Sequence, residues 1–117
     1  MFLSQSSRVY LFIAPTDMRK GFDGLSCLVR QQGLDLFNGD LFVFLSKRAD
    51  RVKILTWSRG GLIIWYKRLE KGTFKRLNSD QDSKVLLDTG ALLLLLEGLD
   101  LNKVQRPERW RPAQFKS

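Results

Sequence analysis

Leu41-Phe42-Val43-Phe44-Leu45-Ser46-Lys47-Arg48-Ala49-Asp50-Arg51-Val52-Lys53-Ile54-Leu55-Thr56-Trp57-Ser58-Arg59-Gly60-Gly61-Leu62-Ile63-Ile64-Trp65-Tyr66-Lys67-Arg68-Leu69 is the stretch whose reading decides the fold. Three runs rich in β-branched, aromatic and apolar residues, 41–46, 51–57 and 62–69, read as strands. The connections between them, Lys47-Arg48-Ala49-Asp50 and Arg59-Gly60, suit antiparallel hairpins. A parallel crossover needs about a dozen residues, so parallel pairing of 41–46 with 51–57 is ruled out. Closing the first hairpin with Ser46 opposite Arg51 sets Val43 across from Ile54. Closing the second with Ser58 opposite Gly61 sets Ile54 across from Trp65.

In that register one face collects Leu41, Val43, Leu45, Val52, Ile54, Thr56, Ile63 and Trp65, interrupted only by Lys67. The other collects Phe42, Phe44, Arg51, Lys53, Leu55, Trp57, Leu62, Ile64, Tyr66 and Arg68, apolar at one end and basic-aromatic at the other. A slip of one residue exchanges the two sets, so the pattern supports the register. Phe42, Phe44 and Leu55 need burial, and the second helix of the chain is expected to cover part of that face.

Upstream, Arg8–Ile13 reads as a first strand stopped by Pro15. Thr16 or Asp17 caps a helix within 17–33, whose apolar stripe is Met18, Phe22, Leu25, Leu28 and Val29; Phe22, Leu25 and Val29 are expected to pack on the sheet. Gly33 is its stop. Gly21 and Gly24 inside it point either to close approach of the helix to the sheet or to a functional loop at 19–24. Asn38-Gly39 is a turn signal. Downstream, Glu70-Lys71-Gly72 is a turn, Thr73–Leu77 a short strand, 78–83 a polar loop and Lys84–Leu87 a brief strand. Asp88 caps a helix from Thr89 to Glu97. Its five successive leucines, Leu92 to Leu96, leave no polar stripe, so it belongs in the core or at an interface. The expected fold is α+β: a small antiparallel sheet of about five strands, with an N-terminal helix and a C-terminal apolar helix packed on it. One domain spans 1–101, and 102–117, basic and carrying Pro107, Trp110 and Pro112, form a loosely ordered tail.

Charge is uneven along the chain. Of 20 Lys and Arg residues, ten fall in 47–76 against only Asp50 and Glu70, so that segment carries +8, the net charge of the whole chain. Trp57, Trp65, Tyr66 and Phe74 lie in the same segment. Basic charge concentrated with aromatics on a small sheet suits a polyanion, and nucleic acid is the commonest one; a solvated sheet guarded at its edges by Lys and Arg accounts for the same pattern. An apolar fraction of 44% is enough for a packed interior. Cys27 is alone and forms no intramolecular disulfide, which fits a reducing compartment. Histidine is absent, which removes the commonest general base and metal ligand together. No secretory signal is seen in Met1–Ser7, and Ala91–Leu96 falls far short of the roughly 18–20 apolar residues of a membrane span. A cytoplasmic protein with no membrane contact is expected.

Several stretches together resemble a known family. They are Arg8-Val9-Tyr10-Leu11, Pro15-Thr16-Asp17-Met18-Arg19-Lys20-Gly21-Phe22-Asp23-Gly24-Leu25, Asp40-Leu41-Phe42-Val43-Phe44, Asp50-Arg51-Val52-Lys53-Ile54-Leu55, and Trp65-Tyr66-Lys67-Arg68-Leu69-Glu70-Lys71-Gly72-Thr73-Phe74. The pattern is similar to the small accessory protein (Orf2-like, TnpB) of bacterial insertion sequences of the insertion sequence 66 family, over about residues 8 to 101. The resemblance implies a role in transposition beside a separate, larger DDE-type transposase, which is expected to carry the strand-transfer chemistry. One departure is Ser58-Arg59-Gly60-Gly61, where the family often has an acidic or glycine-rich turn.

The candidate DNA contacts are ten. Arg19 and Lys20 stand beside a turn and a helix start, where backbone N–H groups help to hold phosphate. Arg51, Lys53 and Arg68 share a face with Tyr66, an arrangement that sets cations on phosphates and an aromatic on a base. Lys47, Arg48 and Arg59 occupy hairpin loops, and Lys67 and Lys71 complete the basic set. Each of these also suits a solvated surface. For a metal nuclease, Asp17 and Asp23 need a third carboxylate such as Asp40 or Asp50; Asp17 fits a helix cap better, and Asp23 a solvated helix face. Cys27, between Leu25 and Leu28, fits a packed side chain. The chain is therefore expected to be no enzyme and to need no cofactor or metal. Two function classes fit: an accessory factor that binds DNA at element ends or target, and an assembly subunit that binds the transposase without touching DNA. A homo-oligomer through the 89–97 helix is compatible with either.

Overall fold

The two central hairpins form as their short connections dictate. In the computed structural model, which describes residues 7–76 and 83–97, β2 (Leu41–Leu45), β3 (Arg51–Ser58) and β4 (Gly61–Arg68) are antiparallel neighbours. Val43 faces Ile54, Ile54 faces Trp65, and Ser58 faces Gly61, the register read from the alternation. The tight β3–β4 turn is made by Arg59 and Gly60, both at positive φ (51° and 82°), the conformation that a two-residue hairpin of type I′ requires.

The sheet is mixed, not wholly antiparallel. β1 (Val9–Phe12) lies parallel to β2, and β5 (Lys84–Leu87) lies antiparallel on the outer side of β1, giving the order β4-β3-β2-β1-β5. The long connection from β1 to β2 carries α1 (Phe22–Gln31), and a crossover of that length is what a parallel pair needs. β2 is consequently central, and all five of its residues are buried, as its unbroken apolar run demands.

Each face of the sheet is covered by its own helix. On one side Val9, Leu11, Leu41, Val43, Leu45, Val52 and Ile54 pack with Ala91, Leu92 and Leu95 of α2 (Thr89–Leu96). On the other, Phe12, Phe42, Phe44 and Leu55 pack with Leu25 and Val29 of α1 and with Leu36. The basic-aromatic face is thus covered by the first helix and not the second. The α1 helix begins next to β3, where the Lys53 ammonium meets the backbone just before it, and ends near β5, where Gln32 accepts from Ser83 and Lys84. It crosses the strands and leaves one corner of this face uncovered.

Residues 17–20, expected as the first helical turn, form a separate turn instead: Lys20 N–H donates to Asp17 C=O and Arg19 N–H to the Asp17 carboxylate. The helix starts only at Phe22, which is 48% exposed and not packed on the sheet as expected. A Cβ on Gly24 would stand 3.0 Å from Cβ and Cγ of Lys20, so the close contact there is with the preceding turn and not with the sheet. No strand forms over 73–76, and Leu77 lies outside the described residues. At α2, the Asp88 carboxylate accepts from Ala91 N–H at 2.7 Å, the cap that the sequence calls for. Leu92, Leu94 and Leu95 are buried; Leu93 is exposed. The tail 102–117 lies outside the described residues.

Candidate nucleic-acid interface

The ends of β1, β2 and β4 and the start of β3 meet at one end of the sheet, and most of the candidate cations meet there with them. Thr16 N–H donates to Leu45 C=O at 2.8 Å, which seats the 14–19 loop beside the β2–β3 hairpin. Between them lies an open cleft of about 530 Å³, lined among others by Asp17, Arg19, Ser46, Lys47, Arg48, Asp50 and Arg51. Four cations and two carboxylates leave this lining at a formal +2. Beyond Arg51 the surface continues into a second recess of about 380 Å³ formed by Arg51, Tyr66, Arg68 and Glu70.

The loop carrying Lys47 and Arg48 is braced from both sides. Ser46 Oγ donates to Asp50 at 3.2 Å and accepts from Arg51 N–H at 3.1 Å. After β4 the chain folds back under the loop: Leu69 N–H reaches Asp50 C=O, Phe74 N–H reaches Ala49 C=O, and the Phe74 ring is buried. Arg76 completes the brace by donating to the carbonyls of Ser46 and Lys47, and burial pushes its guanidinium pKa down. Such bracing is how a surface loop comes to present side chains in a fixed place. Lys47 and Arg48 themselves are exposed and, among the described residues, have no carboxylate within ion-pair distance.

The remaining candidates divide by position. Arg19 is exposed and held in a two-pronged pair by Asp17 (2.7–3.1 Å); its side-chain and backbone hydrogen bonds hold the Asp17 carboxyl down at about 2. Lys20 and Lys71 are exposed near the same end. Arg51 is exposed, and hydrogen bonding to the Tyr66 hydroxyl, first, pushes its pKa up. Arg68 is exposed and paired with Glu70 at 3.3 Å. Lys67 is exposed but belongs to the face under α2, since it pairs with Val52 in the sheet. Arg59 sits at the β3–β4 turn, seven residues along β3 from Ser58 back to Arg51, roughly 23 Å away at the rise of a strand. It stands apart from the cluster.

Lys53 is the correction. Its residue is 8% exposed, and its ammonium donates to Met18 C=O at 2.8 Å and Lys20 C=O at 2.7 Å while lying 4.8 Å from the Tyr66 ring centre. A lysine so enclosed does not reach a phosphate. It fastens the 18–20 segment to β3 and so sets one wall of the cleft. Its neighbours across the sheet, Phe44 and Tyr66, were legible from the register, but the 18–20 segment that encloses it was not. The contributions of Arg76, Phe74 and the Asp17–Arg19 pair carried no comparable signal, because they depend on where the chain turns after β4 and before α1.

Asp17 and Asp50 line the same cleft, but Asp40 does not join them. Asp40 lies at the far end of β2, where it accepts from Arg8 N–H at 3.0 Å and pairs with the Arg8 guanidinium at 3.6 Å. Among the described residues no three of His, Cys, Asp and Glu come together in a way that holds a metal ion, and no helix is long and apolar enough to cross a membrane.

Comparison with known proteins bears on the whole chain. The family model described as IS66 Orf2 like protein matches residues 7–106. The chain is 35% identical over 112 residues to the uncharacterized protein y4jC of Sinorhizobium fredii, covering 95% of each. It is 34% identical over 112 residues to the uncharacterized protein y4hO of the same organism, covering 94% of each. No solved structure matches. Matched by the family model over residues 7–106 and by two relatives along most of their length, the chain belongs to the IS66 Orf2-like protein family.

Proposed function

We propose that this accessory protein of a bacterial insertion sequence is non-catalytic and supports transposition in the cytoplasm by binding DNA, at element ends or target, through the basic end of its sheet. A separate DDE-type transposase carries the strand-transfer chemistry. The observation that carries this reading is the convergence of Lys47, Arg48 and Arg51 on one braced, open cleft, with Arg68 beyond it. Exposed cations held on short loops and strand ends are suited to the phosphate backbone, which supplies most of the affinity of non-specific binding.

A second reading, an assembly subunit that binds the transposase without DNA contact, is supported by the free edge of β4, where Ile63 is 41% exposed beside no further strand among the described residues. One experiment separates the two: labelled duplex DNA titrated at low salt with the parent and with an Arg48→Gln/Arg51→Gln/Arg68→Gln variant. Loss of DNA binding by a folded variant supports the first reading. Unchanged DNA binding with lost co-elution of purified transposase supports the second.

A further inference from the structure

We propose that the recess formed by Arg51, Tyr66, Arg68 and Glu70 receives one unpaired nucleotide of DNA, its phosphate between the two guanidinium groups and its base on the Tyr66 ring. The inference rests on the DNA-binding reading and adds to it the kind of strand recognised.

Arg51 and Arg68 are direct partners across β3 and β4. The bond from Leu69 N–H to Asp50 C=O, one step further along the same ladder, makes Arg51 and Arg68 a non-hydrogen-bonded pair, whose side chains stand closest. Like charges directly opposite one another in a sheet are destabilising. Glu70 meets only Arg68, at 3.3 Å and in the open, and Arg51 has no carboxylate within ion-pair distance among the described residues. An anion between the two arginines removes the repulsion. Tyr66 lies on the same sheet face, two residues before Arg68, and its ring is not core: the residue is 49% exposed. The Lys53 ammonium, 4.8 Å from its centre, fixes the ring in place.

A fixed, half-exposed aromatic beside a cationic track is the arrangement that proteins use for single strands, where bases stack on π faces. A base inside a duplex offers no face for stacking. The recess, about 380 Å³, lies in the range of small-ligand sites, roughly 300–1,000 Å³.

The test compares a labelled oligonucleotide of about 16 nucleotides with its duplex, titrated with the parent, Tyr66→Phe and Tyr66→Leu. Tyr66→Leu is expected to weaken single-strand binding by about 5- to 150-fold, the worth of stacking one base, with duplex binding unchanged and Tyr66→Phe close to the parent. Photocrosslinking of the parent to a bromouracil-substituted single strand provides a readout that needs no variant, and the crosslink is expected at Tyr66. Equal loss on both DNA forms, no loss on either, or a crosslink only elsewhere overturns the inference and leaves the DNA-binding reading standing. Failure of the parent to bind either form overturns both.

Discussion

At the scale of single residues, Lys53 shows how one buried cation shapes a surface it never joins. Lys53→Met keeps the length of the side chain and removes both bonds to the Met18 and Lys20 carbonyls. Hydrogen bonds from a charged group are worth about 1.5–3 kcal/mol each, so denaturant unfolding is expected to show a loss of at least that order. DNA affinity falls as well, because the wall of the cleft moves. A variant as stable as the parent that had lost DNA binding would mark Lys53 as a direct contact instead. The Asp17–Arg19 pair gives a second check, by carboxyl-carbon NMR. The Asp17 pKa is about 2 against an ordinary 3.8, and Arg19→Ala is expected to return it toward 3.8. Because the folded value is the lower one, the pair's stabilisation is present above about pH 4 and lost as the pH falls toward 2. Strand alternation placed Lys53 on the right face but gave no depth, which depends on the 18–20 segment arriving from far away in the chain.

Among the elements, the hairpins were legible and the β1–β2 pairing was not. Four- and two-residue connections leave one arrangement for β2, β3 and β4, and period-two alternation then sets the register. The partner of β1 lies about thirty residues on, and no local signal ties Val9 to Leu41. The start of α1 was misplaced because Met18 fits the helical spacing, while Asp17 and Arg19 close a turn on themselves. For α2, composition foretold burial or an interface, and packing resolves the leucines one by one. Leu92 is fully enclosed and Leu93 is 47% exposed. Leu92→Ala is expected to cost about 2–5 kcal/mol and Leu93→Ala within about 0.5 kcal/mol, measured by denaturant unfolding. Equal costs would mean that the helix does not sit on the sheet as described.

For the molecule as a whole, the magnitude of the charge and the basic-aromatic end of the sheet were legible in the sequence, because the hairpin register already set Arg51 across from Arg68; the cleft that the 14–19 loop adds there was not. The +8 of residues 47–76 is spread over strands, loops and turns. The meeting of strand ends gathers Lys47, Arg48, Arg51 and Arg68 at one pole and leaves Arg59 at the other. The proposed function requires that this pole, and not basic charge in general, holds DNA. Affinity for duplex DNA measured across a range of salt concentrations tests it, because each neutralised phosphate contributes about −0.9 to the slope of log affinity against log salt. A slope shallower by up to about 2.7 is expected for Arg48→Gln/Arg51→Gln/Arg68→Gln, and the parent's slope for Arg59→Gln. A parent that binds no DNA at low salt, or an Arg59→Gln slope that falls while that of the triple variant does not, would contradict it.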